Sequence, residues 1–150
     1  DSMPKYVLKL VKNGLIGLGS YQPESDHQTR PKIGVLGLSY LEESDDIRNS
    51  PTISLLNEME HLDWEIEVHD HYVDSCDGVT LNQNLSDVIT NSDALIVMVS
   101  HNLYRELDLL EISKKMRTPF IVDARNVFDP NDLNLSGIHF SSIGRGSSIK

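Results

Sequence analysis

A run of consecutive apolar residues, Ala94 to Val99 (ALIVMV), and a second segment, Phe120 to Ala124 (FIVDA), apolar but for Asp123, constrain the fold more than anything else in the chain. A strand with one face in water alternates apolar and polar residues, so an unbroken run needs cover on both faces. Parallel strands between two layers of helix have that cover. A third run, Ile33, Val35, Leu36 and Leu38, punctuated by Gly34 and Gly37, opens the stretch PKIGVLGLSYLEESDDIRNSPTI from Pro31 to Ile53. An acidic loop, Glu42 to Asp46, follows it, and Asn49-Ser50-Pro51 then marks a helix start, with a capping side chain directly before a proline whose fixed φ suits a first turn.

The remaining elements fit the same alternation. Ile53, Leu56, Met59 and Leu62 form the buried stripe of the first body helix, and Trp64 to Val68 returns as a strand ending at Asp70. Val79 to Leu81 reads as a short strand, Ser86 to Asn91 as a short helix, and Asp108 to Met116 as a helix capped by Asp108 with Glu111 three residues on. Ile138 to Ile143 reads as a final strand at an edge. The expected class is therefore α/β: an open, Rossmann-like, doubly wound and mostly parallel sheet with flanking helices.

Ahead of this body, Asp1 to Ser20 reads as an amphipathic helix. Met3, Val7, Leu10, Val11 and Leu18 lie near one face, Asp1 or Ser2 with Pro4 supplies a start, and Gly14, Gly17 and Gly19 weaken the second half. It is either a helix packed on its own domain or one belonging to a neighbouring domain or subunit, with its apolar face partly bare. Tyr21 to Arg30 is polar and aperiodic, a loop or linker. The expected organisation is a helix over 1–20, a loop over 21–31 and a body over 32–150.

Composition removes several classes of function. At 150 residues, 39% apolar and 24% charged, the chain suits one globular domain. A formal charge of −10, from 23 acids against 13 bases, repels phosphate backbones and anionic membranes. One cysteine, Cys76, excludes an internal disulfide framework. No membrane span and no signal-peptide pattern stands out, so the cytoplasm is the expected compartment.

In doubly wound sheets, ligands bind beyond the carboxyl ends of the strands. The residues placed there are Ser39-Tyr40-Leu41, Asp70-His71, Ser100-His101 and Asp123 to Asn126. An ordinary NAD cradle does not fit. Gly34-x-x-Gly37 is not G-x-G-x-x-G, and about ten residues separate Tyr40 from the helix start. Arg125 leaves a strand crest where its planar fork can clamp a phosphate or carboxylate, or can pair internally with Asp123, Asp129 or the acidic loop. Tyr40 and Leu41 either meet a base or sugar or simply cover the sheet end. Asp46 and Arg48 read as a tie between the acidic loop, the sheet and the helix start. His69-Asp70-His71 places two imidazoles on one strand face, but no cysteine pair or H-E-x-x-H accompanies them, so a metal site is not expected. Cys76 sits in VDSCDGV between acids that disfavour a thiolate nucleophile. No G-x-S-x-G, P-loop or kinase-type motif is present.

The run Gly37-Leu38-Ser39-Tyr40 followed by Asp45-Asp46-Ile47-Arg48-Asn49-Ser50-Pro51, together with D-A-R-N-V-F-D at Asp123 to Asp129, resembles the C-terminal domain of the UDP-glucose/GDP-mannose dehydrogenase family. The resemblance covers roughly Lys32 to Gly146, and the helix from Met3 to Leu18 resembles the element preceding this domain in family members. It implies an NAD-dependent, two-step, four-electron oxidation of a nucleotide sugar at C6, with NAD and the catalytic cysteine and lysine carried by other domains. This module would supply part of a UDP-sugar pocket and a lid, through Tyr40, Leu41 and Arg125, with no catalytic residue and no cofactor of its own. Its expected partners are the UDP-sugar and the remaining domains of the same enzyme, which would be a homo-oligomer. The closest branch, from MP-x-Y-V near the start and D-x-R-N-V-F-D, is similar to enzymes oxidising UDP-N-acetylmannosamine. The sequence departs from the family at one place: Leu41 stands where members typically carry lysine, and Glu42 and Glu43 follow it. Weakened or altered ligand binding is the expected consequence. Two other classes stay open, a Rossmann-like small-molecule binding module without sugar preference and an interaction domain whose site has decayed.

Overall fold

The computed structural model describes residues 3–24, 30–144 and 146–149. Helix α1 (Met3–Gly17) leads into β1 (Lys32–Leu36), α2 (Pro51–Met59), β2 (Glu65–His69), α3 (Leu85–Ile89), β3 (Ala94–Val97), α4 (Asn102–Arg105), α5 (Leu109–Lys115), β4 (Phe120–Asp123), α6 (Pro130–Leu135), β5 (His139–Ser142) and β6 (Gly146–Ser147). The 6-stranded sheet has the order β2-β1-β3-β4-β5-β6. All neighbours from β2 to β5 pair in parallel, and β6 closes the edge antiparallel to β5.

The unbroken apolar runs are unbroken because successive residues feed two different cores. Ala94 and Ile96 of β3, and Met98 just after it, face a core shared with α1 and α2, through Val7, Val11, Leu15, Leu55 and Met59. Leu95 and Val97 face a second core with Val88, Tyr104, Ile112 and Leu133 from α3 to α6. Phe120 and Val122 of β4 point to the first core and Ile121 to the second. Because side chains alternate along a strand, a polar residue at any of these positions would face a helical layer rather than water.

Helix α1 is part of this packing. Val7, Val11 and Leu15 are fully buried, and Leu8 nearly so, while Leu10 and Leu18 are only half-buried. The helix continues through Gly14 to Gly17. Gly14 sits where a Cβ would overlap the ring of the fully buried Phe120, so the glycine lets helix and sheet approach. The proposed caps Asp1 and Ser2 lie outside the described residues, as do residues 25–29 of the loop.

The start of α2 is as the sequence predicts. The hydroxyl of the N-cap Ser50 accepts from Ile53 N at 3.4 Å and donates to the Leu38 carbonyl at 2.6 Å, and Thr52 Oγ1 donates to the Gly37 carbonyl at 2.8 Å. These bonds fasten the helix to the crest of β1. The buried stripe of α2 is Thr52, Leu55 and Met59, with Ile53, Leu56 and Leu62 at its margins.

Three expectations need correction. Val79 to Leu81 forms only isolated bridges, Cys76 with Val79 and Val68 with Leu81, since its neighbours turn away after one pair. The strand at His139–Ser142 is not an edge, because β6 pairs with it. Helices α4 and α6 were not expected. No helix among the described residues is long and apolar enough to cross a membrane.

Candidate functional site

The strand order places a reversal between β1 and β3. The chain winds outward from β1 to β2, then returns past β1 to build the rest of the sheet, and such a switch point opens a crevice above the strand ends. Gly37 narrows the floor of that crevice. With φ at 102°, it lies where a Cβ would come within 2.6 Å of Val99 Cβ, so only glycine fits there.

Two buried carboxylates shape the crevice walls. Asp70 Oδ2 accepts from Leu38 N at 2.7 Å and Ser39 N at 3.0 Å, and Oδ1 accepts from Tyr72 N at 2.8 Å and Val73 N at 3.2 Å. Burial raises the Asp70 pKa, but the hydrogen bonds from His101, Ser39, Leu38 and Tyr72 outweigh it and hold the carboxyl well below the usual range. Asp123 plays the same part at the end of β4, accepting from Arg125 N, Val127 N and Phe128 N at 3.2, 3.0 and 2.9 Å. Asn126 then takes a left-handed conformation, φ 54°, which turns the chain toward Asp129 at the start of α6.

Arg125 projects from this loop. Its Nε donates to the Met98 carbonyl at 2.9 Å, which fixes the base of the guanidinium. The internal ion pairs open to it from sequence are not formed: among the described residues no carboxylate lies within ion-pair distance of Arg125. Among the described residues, its two terminal nitrogens have no hydrogen-bond partner.

The acidic loop is folded on itself. Tyr40 N donates to the Asp46 carbonyl at 2.6 Å, and Arg48 grips the Asp46 carboxylate through Nε at 3.0 Å and Nη2 at 2.8 Å. The Arg48 hydrogen bonds bring the Asp46 pKa down to about 2. These two residues tie the loop into shape and turn their charges toward each other.

Tyr40, Leu41 and Arg125, the three residues singled out from sequence, line one cavity of about 130 Å³ with Glu42, Val99 and Ser100. Tyr40 is 45% and Leu41 55% exposed, so both present apolar surface to an incoming ligand. Arg125 is the one cation among the described residues lining it.

Beneath the cavity lies a polar cluster to which sequence reasoning gave no role. His101 is fully buried; its Nε2 meets Asp70 Oδ2 at 3.0 Å, and its Nδ1 accepts from the Glu43 backbone N–H at 3.0 Å. Because Nδ1 accepts, the proton sits on Nε2 and the ring is neutral. Ser39, His101 and Asp70 have the composition of a hydrolase triad but not its geometry, since both partners share Nε2 and the Ser39 hydroxyl donates to the Leu41 carbonyl at 2.8 Å. No activated nucleophile results. Next to it, His69 Nδ1 lies 2.8 Å from the Tyr104 hydroxyl, which donates to the His69 carbonyl at 3.0 Å. Burial depresses the His69 pKa to about 4 and raises that of Tyr104. No group of three metal-ligating side chains is found among the described residues. Cys76 packs at the margin of the first core.

Residues 34–130 match the UDP-glucose/GDP-mannose dehydrogenase family, UDP binding domain. The chain is 28% identical over 151 residues to the UDP-N-acetyl-D-mannosamine dehydrogenase of Methanococcus aeolicus, covering 99% of this chain and 32% of that protein. It is 28% identical over 119 residues to the UDP-glucose 6-dehydrogenase of Rhizobium meliloti, covering 76% of this chain and 27% of the relative. The crystal structure of NDP-N-acetyl-D-galactosaminuronic acid dehydrogenase from Methanosarcina mazei superimposes with a TM-score of 0.86 at 29% identity, over 97% of this chain and 30% of that one. The chain thus spans about a third of the length of the relatives it matches.

Proposed function

The chain belongs to the UDP-glucose/GDP-mannose dehydrogenase family, and from that premise we propose that it is the UDP-sugar-binding module of a longer nucleotide-sugar 6-dehydrogenase. The observation that carries this reading is the cavity at the switch point, where Tyr40, Leu41 and the unpaired fork of Arg125 converge. A guanidinium with two free nitrogens suits a diphosphate or the sugar attached to it, and an exposed tyrosine ring suits a base or ribose face. At about 130 Å³ the cavity is smaller than the ~300–1,000 Å³ that a whole small-molecule ligand occupies. It holds one side of the ligand, and the remainder of the enzyme closes over the other.

The reaction of the whole enzyme is, on this reading, oxidation of the C6 alcohol of a UDP-hexose or UDP-N-acetylhexosamine to the uronic acid, with NAD as hydride acceptor. The names of the relatives support an N-acetylhexosamine such as N-acetylmannosamine, and a glucose enzyme also matches. The residues of this chain do not fit NAD itself. The turn after β1 packs Gly37 on Val99 rather than on a ligand, and the start of α2 is occupied by the Ser50 cap, so no dinucleotide cradle forms. On this reading, NAD, which takes the hydride, and the group that takes the proton are held by other domains of the enzyme. This chain's residues bind and orient.

An amide NMR titration with UDP, UDP-N-acetylglucosamine, UDP-N-acetylmannosamine, GDP and NAD tests the reading. The expected result is a set of shifts centred on Tyr40, Leu41 and Arg125 with uridine ligands only, lost in Arg125→Ala. Equal response to every nucleotide would favour a general binding module. Silence, with a mass that rises with concentration, would favour an interaction domain.

A further inference from the structure

The buried cluster under the cavity does something the binding reading does not account for: it holds the loop carrying Tyr40 and Leu41 through one imidazole nitrogen. Glu43 has φ 54°, a left-handed conformation that residues with a side chain rarely adopt. Its N–H points inward to His101 Nδ1 at 3.0 Å. Ser39, from the same crest, reaches the other nitrogen of the ring at 3.3 Å and ties back to the Leu41 carbonyl. The loop is thus pinned on both sides of Leu41 by a single side chain that belongs to the crest of β3.

That pin exists only while Nδ1 is an acceptor. A second proton on the ring would make Nδ1 a donor facing the Glu43 N–H, and two donors repel. The Glu43 carboxylate is already 3.6 Å from Nδ1, held by Tyr72 and by Asn102 N at 3.4 Å. It is the acceptor that a proton on Nδ1 would meet in place of the Glu43 N–H that now donates there.

We propose that His101 is a positioning residue for the nucleotide-sugar site: in its neutral form it fixes the Tyr40–Leu41 loop in the ligand-ready shape, and its protonation releases that loop and weakens binding. This rests on the binding role proposed above. Every charged or titratable group around the ring enters the balance. The Asp70 carboxylate faces Nε2 at 3.0 Å and the Glu43 carboxylate faces Nδ1 at 3.6 Å, with His69 and His71 on the neighbouring crest of β2. Tyr72 and Tyr104 pack against the ring faces with centroids at 4.9 and 5.5 Å and stay neutral.

Glutamine supplies the discriminating variant. Its amide N–H can donate to Asp70 and its carbonyl can accept from Glu43 N–H, but it does not titrate, so His101→Gln retains the pin at every pH. His101→Leu removes both bonds. The experiment follows the amide shifts of Glu43, Leu41 and Tyr40 in the ligand-free chain against the His101 imidazole signals from about pH 8 down to 5.5, the range in which imidazoles change charge. It then measures the Kd of UDP across the same range. The amides of the wild type are expected to follow the His101 titration, and UDP affinity to fall about tenfold per pH unit below it, the slope of one linked proton. The Gln variant should be flat in both measurements and bind UDP within about threefold of the wild type at high pH, while the Leu variant binds weakly throughout. Amides that ignore the imidazole, or a Gln variant that keeps the wild-type slope, would overturn the positioning role whatever UDP does. Coupled amides with no UDP binding at any pH would sustain the positioning of the loop and count against the nucleotide reading of the site.

Discussion

At the scale of single residues, the site is defined as much by a missing charge as by the charge present. Leu41 is exposed on the cavity rim beside Glu42, and Arg125 supplies the only cation lining it among the described residues. A lysine there would add a direct attraction for a diphosphate that leucine cannot. Leu41→Lys is therefore expected to tighten UDP binding about five- to tenfold in a calorimetric titration, with the gain shrinking as salt screens it. No gain at low salt would mean the diphosphate does not pass Leu41. A second residue-scale prediction concerns His69, which burial keeps neutral with a pKa of about 4. Its unfolded pKa is about 6.5, so below that value the unfolded chain binds a proton the fold refuses. Stability contributed by the neutral ring is complete above about pH 6.5 and is lost as the pH falls toward 4, at about 1.4 kcal/mol per unit at the steepest. Asp70 acts lower: its depressed pKa adds stability that is complete above the usual carboxylate range and is lost only beneath it. Urea melts at about pH 7 and 4.5 should show a loss of about 2–3 kcal/mol in the wild type, and His69→Gln should remove most of it. An equal loss in both proteins would place the acid sensitivity elsewhere.

At the scale of elements, what the sequence makes legible is what periodicity encodes. The runs at Ala94 and Phe120 declare strands covered on both faces because each successive residue enters a different core. Ser50-Pro51 declares a helix start because a hydroxyl cap and a proline suit only that position. Helix α4 has four residues, too few for a stripe, and α6 ends in Leu135, 84% exposed, against the usual sense of its pattern. Strand β6, a Gly-Ser pair held by backbone bonds, has no side-chain signal at all. The site divides the same way. That Tyr40, Leu41 and Arg125 lie near one another was legible because each follows a strand at the carboxyl end of the sheet, whereas the pairing of His101 with Glu43 joins residues 58 apart and is set by the fold alone. Gly14 shows how a local rule fails: glycine costs a helix about 1 kcal/mol relative to alanine, yet here it admits the Phe120 ring. Gly14→Ala, which stabilises an ordinary helix, is expected to destabilise this protein by about 1–2 kcal/mol in thermal or urea unfolding, since the buried ring must move. A rise in stability would show that α1 and β4 have slack between them.

At the scale of the whole molecule, the question is how much of an enzyme this chain is. Two cores, a continuous sheet and an integrated first helix make a body with its own buried interior. Hydride transfer needs donor carbon and nicotinamide held about 3–3.5 Å apart with water excluded. The crevice here offers one guanidinium, one phenol ring and a shallow apolar rim. The buried His101–Asp70 pair, the nearest approach to an acid–base group, is committed on both ring nitrogens to the backbone and to a carboxylate. Neither ring nitrogen can exchange a proton with an outside group without breaking one of these bonds. The expected outcome is separation of binding from turnover: the 150-residue chain binds uridine nucleotides in the titration yet produces no NADH when incubated with NAD and a panel of UDP-hexoses and UDP-N-acetylhexosamines. NADH formation by the purified chain, abolished by Arg125→Ala, would overturn that division. It would require a nicotinamide site on a surface where neither a glycine-rich turn nor an open helix start provides one.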